Sequence, residues 1–271
     1  MNHKITTPNN FRDNSVIVLD SLDRDLLNYP SPSDYVIKLP SVLRNAETIE
    51  LMSLQLTRTE TNVNSGNNTF KLSIGVTNYT VTIAVAEYAT GADLATAVAA
   101  AITAAVSGFT VSYSLVTRMI TITHTNTIAF NITVGENCAK LLGIVGTGER
   151  GAGVVSSSGS GVLSGSKLVD LNGTDYLILS INDYTRIISA SNTAHKNFLI
   201  VPMERYAVGQ RFIIAGDEKE KKGIYILTNN QRNIFEMRVT IKRPDGSLYD
   251  FGKVDHFMTF RVYRDDYHDR N

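Results

Sequence analysis

A single cysteine, Cys138, stands in the whole chain, so no internal disulfide can form. That excludes a disulfide-stapled secreted module and suits a reducing cytoplasm. An excess of one charge is missing too: 26 Lys and Arg balance 26 Asp and Glu. Nucleic-acid binders draw much of their affinity from phosphate neutralisation and carry a basic surplus, so no nucleic-acid partner is expected. A net charge near zero leaves little self-repulsion, which suits a protein that packs into an assembly. Long apolar runs are absent as well. Met1 to Asn14 is polar and holds no signal-peptide core, and no stretch approaches the roughly 20 apolar residues that span a bilayer. The most apolar helical candidate, 92–106, is short and mostly alanine. The expectation is a chain without a transmembrane segment, soluble or held on a particle by protein contacts.

Catalytic signatures are also missing. No GxSxG, HExxH, Walker loop or paired CxxC occurs. Gly146 to Gly151 matches GxGxxG, but a dinucleotide site needs a helix next, and the Gly/Ser-rich residues that follow will not form one. The histidines His3, His124, His195, His256 and His268 share no metal-ligand spacing; His256 and His268 flank the last strand, and a solvated or core role is expected. Cys138 has no local basic partner and reads as a small buried residue. Asp20, Asp23, Arg24 and Asp25 form an acidic cluster without the glycine and distal glutamate of a calcium loop; a turn whose carboxylates bond backbone N–H groups is expected. The mixed charges of 217–222 read as a solvated loop tip. Asn-x-Thr sequons at Asn67, Asn78, Asn131 and Asn172 reflect a composition rich in Asn and Thr. No catalytic, cofactor-binding or metal-binding residue is assigned, no cofactor is expected, and the chain is not expected to be an enzyme.

What is present is β-pattern: short runs rich in Val, Ile, Thr, Tyr and Phe between Gly, Pro, Asn and Asp. Ser15 to Asp20 and Asp34 to Leu39 read as strands, the second closed by Pro40. Glu47 to Glu60 alternates through Ile49, Leu51, Leu54 and Leu56 with one slip at Met52-Ser53, the mark of a bulge or bend. Further strands are expected near 176–181, 197–201, 210–214, 223–228, 234–242 and 257–263. In the run from Ile234, the face of Phe235, Met237, Val239 and Ile241 is set against that of Ile234, Glu236, Arg238 and Thr240. In the last strand Met258, Phe260 and Val262 share a face.

The pattern changes in the middle. A hairpin turns at Gly75-Val76. A helix begins after Thr90, which can cap it, with Asp93 in its first turn and Leu94, Val98, Ile102 and Ala105 on one stripe. Three strands and a helical turn stopped at Gly143 follow. The expected fold class is therefore mainly β: an antiparallel β-sandwich, jelly-roll-like, with an inserted small α+β domain. Residues 1–64 carry an N-terminal arm and the first part of the sandwich, 65–148 the insertion, 149–168 a flexible Gly/Ser-rich linker, and 169–271 the second part.

Several segments carry a resemblance. Ser15 to Arg24, Tyr29 to Pro40 and Ala46 to Leu56 are similar to the opening of capsid-associated proteins from nucleocytoplasmic large DNA viruses and their virophage relatives. Asn78 to Ile83, the helix near Asp93 to Ala105, Phe109 to Ser112, Met119 to Ile122, Ala139 to Ile144, Asn233 to Phe235, Thr240 to Gly246 and Tyr249 to Gly252 add to it, and some phage virion proteins share similar segments. The resemblance implies a minor capsid or vertex (penton-like) protein with a jelly roll, in a group whose vertex members often bear an inserted domain. It brings no catalytic residues. It implies the major capsid protein and other capsid proteins as partners, a homo-oligomer in the particle, and a virion location after synthesis in the host cytoplasm. The alternative is a surface or fibre module that binds a host receptor or glycan, with Tyr79, Tyr88 and Tyr113 lining a pocket.

Overall fold

The computed structural model describes residues 14–184, 197–203, 206–215, 224–226 and 232–264. In chain order the strands are β1 (Asn14–Asp20), β2 (Asp34–Thr57), β3 (Thr69–Ile74), β4 (Thr77–Thr82), β5 (Phe109–Tyr113), β6 (Ile120–His124), β7 (Asn131–Val134), β8 (Gly153–Ser156) and β9 (Val162–Ser164). They continue with β10 (Tyr176–Ile181), β11 (Leu199–Pro202), β12 (Arg211–Ala215), β13 (Ile224–Ile226), β14 (Arg232–Lys242) and β15 (Phe257–Arg264). The helices are α1 (Gly91–Ala105) and α2 (Glu136–Leu142). The chain divides into two compact units, one of residues 1–59 and 175–271, the other of residues 60–174.

The first unit is mainly β and antiparallel. Strand β2 is 24 residues long and serves as two strands in one. Its front half pairs with β14, while its rear half lies between β15 on one side and β12 with β13 on the other. Strands β12 and β13 follow one line along β2, so they count as one interrupted strand. The pairing then nests. β1 pairs with β15, front β2 with β14, rear β2 with β12 and β13, and β10 with β11. Two further ladders, β15 to β2 and β14 to β10, knit these pairs into the sequence β1–β15–β2 and β2–β14–β10–β11. A long hairpin rolled on itself in this way is the jelly roll expected from the sequence.

Register shifts along β2 let one strand do this, and two of them bear on the sequence reading. Thr259 faces Ser53 and Phe260 faces Leu51, so Met52 is the unpaired residue. The slip at Met52-Ser53 is thus a bulge, and it keeps Ile49, Leu51, Leu54 and Leu56 all in the core. The second bulge corrects the expectation that Pro40 closes a strand. Lys38 faces Glu236 and Leu43 faces Ile234, which leaves Leu39 to Val42 opposite Phe235 alone. Proline lacks an N–H, and a stretch without ladder bonds tolerates it. The same irregularity corrects the face assignment of β14. Ile234 joins Met237, Val239 and Ile241 in the core, whereas Phe235 is turned outward and is 56% exposed. Each large apolar side chain so buried contributes about 1.5–3 kcal/mol.

The second unit has its own core. One sheet runs β4–β3–β7–β8 and the other β5–β6–β9. Helix α1 buries Leu94, Val98 and Ile102, the stripe read from the sequence, and Thr90 with Asp93 forms a complete capping box. Gly143 ends α2 at φ 67°, and a Cβ there would lie 2.2 Å from the Lys167 carbonyl oxygen.

Two corrections concern boundaries. The unit limits fall at 59/60 and 174/175 rather than at 64/65 and 148/149. Residues 149–168 are no linker, because β8 pairs with β7 and β9 pairs with β6. Two of the few apolar residues there serve the core: Leu163 is buried, and Val155 packs against the cluster. The glycines serve close approach, as at Gly161, where φ is +68° and a Cβ would meet the Ile128 carbonyl oxygen at 2.7 Å.

Candidate functional site

The sequence offers no catalytic centre to build from, so the polar groups and the surface of the roll are taken in turn. A buried polar corner joins the end of β1 to the start of β15. The Arg24 guanidinium donates from Nη1 to the Ser21 carbonyl at 2.5 Å and to Asp255 Oδ1 at 2.5 Å, and from Nε to the Tyr29 carbonyl at 3.2 Å. Ser21 Oγ donates to Asp255 Oδ1 at 2.9 Å and accepts from the His256 amide at 2.9 Å. His256 Nε2 lies 3.0 Å from the Tyr35 hydroxyl, while its buried Nδ1 has no hydrogen-bond partner among the described residues. Desolvation pushes His256 down to about 3, against the pull of Asp255, so the ring is neutral. Burial, then Asp20 and Asp255, pushes the Tyr35 phenol up, which keeps it protonated. This corner ties chain segments together.

The acidic cluster behaves as the sequence reading expects of a turn. Asp20 Oδ1 accepts from the Leu22 amide at 2.9 Å, and Asp25 Oδ1 accepts from the Leu27 and Asn28 amides at 3.0 and 3.4 Å. The Asn28 side-chain amide, with those two backbone amides, holds the exposed Asp25 carboxyl below its ordinary range. Arg24, read as part of that cluster, instead turns inward to Asp255, 231 positions away. Sequence reasoning had no local signal for this pair.

The other candidates also find places. His124 is buried, accepts from the Asn126 amide at Nδ1 (3.1 Å) and meets the edge of Phe109. His3, His195, His268 and the charge run 217–222 lie outside the described residues. Burial pushes the Cys138 thiol up to about 12, so it stays a thiol. The GxGxxG segment closes on itself, with the Gly146 amide donating to the Gly151 carbonyl at 2.7 Å and the Gly148 amide to Ala152 at 2.8 Å. It leads into β8, not a helix. Tyr79, Tyr88 and Tyr113 are partly buried and pack against the core of the second unit. Among the described residues no three His, Cys, Asp or Glu side chains gather as metal ligands, and no helix is long and apolar enough to cross a membrane.

What the roll presents outward is its surface. Val16 and Val18 on β1, Ile213 on β12 and Phe235 on β14 are large apolar residues left exposed. Leu22, Leu26 and Leu27, after β1, are exposed as well, Leu27 to 95%. Beside them, a groove of about 790 Å³ lies among β1, the residues after it and the front half of β2. Val18, Val36 and Leu39 line it together with Asp23, Asp25 and Glu236. Apolar groups beside unpaired strand edges can take up another polypeptide.

The comparisons with known proteins come to the following. No curated protein matches the sequence. The mavirus penton protein is similar in structure at 9% identity and a TM-score of 0.47, over 93% of this chain and 99% of that one. The D1-D2-D3 domains of the flagellar cap protein FliD from Escherichia coli are similar at 12% identity and a TM-score of 0.27, over 86% of this chain and 55% of that one. At these scores neither likeness carries function across. A family model matches residues 7–203, most of the chain, and the protein therefore belongs to the Family of unknown function (DUF5901).

Proposed function

We propose that this protein is a non-enzymatic virion structural protein, a minor capsid or penton-like component that packs against the major capsid protein and other shell proteins. The observation that carries the reading is the nested pairing of a jelly roll whose strand β1 has, among the described residues, an open edge beside exposed Val16 and Val18. A jelly roll hosts several functions, so the fold alone does not choose among them. The choice rests on the surface, where apolar residues sit beside an unpaired edge, and on the resemblance of the segments at both ends of the roll to capsid-associated chains. The working surface in this reading is the outside of the sandwich. The protein is made in the host cytoplasm and resides in the virion, and its copies associate in the particle.

Co-expression with the major capsid protein of the same genome tests this. The expected result is co-purification through an interface above roughly 1,000 Å², the size that separates specific association from incidental contact. A chain that stays free of every shell protein, and instead gives a signal on a glycan array, would overturn it in favour of a receptor-binding surface module.

A further inference from the structure

Among the described residues several strands of the roll pair on one side only, and two of them border one groove. β1 bonds to β15 alone, and the front half of β2 bonds to β14 alone. The groove of about 790 Å³ is lined by residues of both strands. Around its apolar residues stand the carboxylates of Asp23, Asp25 and Glu236, with Lys38 as the cation among them. An extended segment that alternates apolar and basic residues fits such a place, with backbone bonds to a free edge and charge complementarity at the margin.

Of the two segments that flank the roll, one sets basic residues beside apolar ones within a polar stretch, with Asp13 its one acid. Residues 1–13 precede β1 directly and set Lys4 beside Ile5 and Phe11 beside Arg12. Residues 265–271 carry Asp265, Asp266 and Asp269, which the groove would repel. Position argues against the chain's own segment. Residue 13 leads into β1 at Asn14, whereas the groove takes in Val18 toward the other end of that strand and residues beyond it, so the chain's own segment would have to double back along β1. A segment from another molecule has no such restriction. We propose that the groove between β1 and the front of β2 receives residues 1–13 of a second copy of this chain. The proposal does not depend on the shell reading, and its test leaves that reading standing or falling by itself.

The test mixes two proteins with one added cysteine each, Ile5→Cys in one copy and Val36→Cys in the other; the native Cys138 is buried. Mild oxidation should yield a disulfide-linked pair containing one of each. In parallel, sedimentation should show self-association weakened at least tenfold by Asp23→Lys with Glu236→Lys. Lys4→Glu with Arg12→Glu should weaken it equally, and mixing the two doubly reversed proteins should restore it. Circular dichroism unchanged from the parent shows that each variant is folded. No mixed disulfide, a disulfide formed only within a chain carrying both cysteines, or self-association indifferent to every reversal would each overturn the proposal.

Discussion

His256 is neutral because its ring is buried against Tyr35 and Phe251, 5.5 and 5.0 Å away between centroids. A histidine whose folded value lies below its unfolded one binds fewer protons folded than unfolded between the two values. With the folded value near 3 and the ordinary value near 6.5, its stability contribution is complete above about pH 6.5 and is lost as pH falls toward 3. The slope from this one group reaches at most about 1.4 kcal/mol per pH unit. Urea titrations from pH 7 to 4 should therefore show a shallower decline for His256→Gln than for the parent; equal slopes would mean that the ring is not held neutral. The neighbouring ion pair gives a second prediction. Asp255→Ala leaves the buried Arg24 guanidinium short of its partner, and the expected cost is about 2–3 kcal/mol in the same measurement. A solvated or core role for His256 was legible from its place beside the last strand, and burial makes it the core one. The Arg24–Asp255 pair was not, because its members come from opposite ends of the chain.

At the scale of elements, periodicity served well wherever it ran unbroken and failed where a bulge reset it. The faces of β15 were read correctly, since Met258, Phe260 and Val262 are all fully buried. In β14 the alternation looked equally clean, yet the bulge opposite Pro40 reverses Phe235. A bulge depends on the partner strand, which no local window contains. The two assignments separate by mutation: Phe235→Ser should change stability by no more than about 0.5 kcal/mol, whereas Met237→Ala should cost about 2–5 kcal/mol. Reversed magnitudes in chemical denaturation would put Phe235 back in the core. The start of α1 was legible because capping is local chemistry, and Thr90→Ala should cost about 1 kcal/mol. Strands β8 and β9 were hidden for the opposite reason. Their apolar residues are few, and their glycines look like a linker until the neighbouring backbone that crowds them is known.

For the whole molecule, the two ends of the sequence were expected to make one sandwich, and the ladders joining β1 to β15 and front β2 to β14 unite them. Strand order was beyond the sequence, because local pattern does not say which alternating runs become neighbours. The groove was out of reach for the same reason: Val18, Asp23, Val36 and Glu236 line one space only after the roll has formed. The most direct measurement is hydrogen exchange on the isolated chain, followed strand by strand. The rear half of β2 has partners on both sides, so its amides, with those of β14 and β15, should exchange slowly and together, through global opening. The amides of β1 that face its open edge should exchange fast until a shell protein or a second copy covers them. Independent opening of 14–57 and 232–264, or an edge of β1 that stays equally accessible in every assembly, would contradict the account.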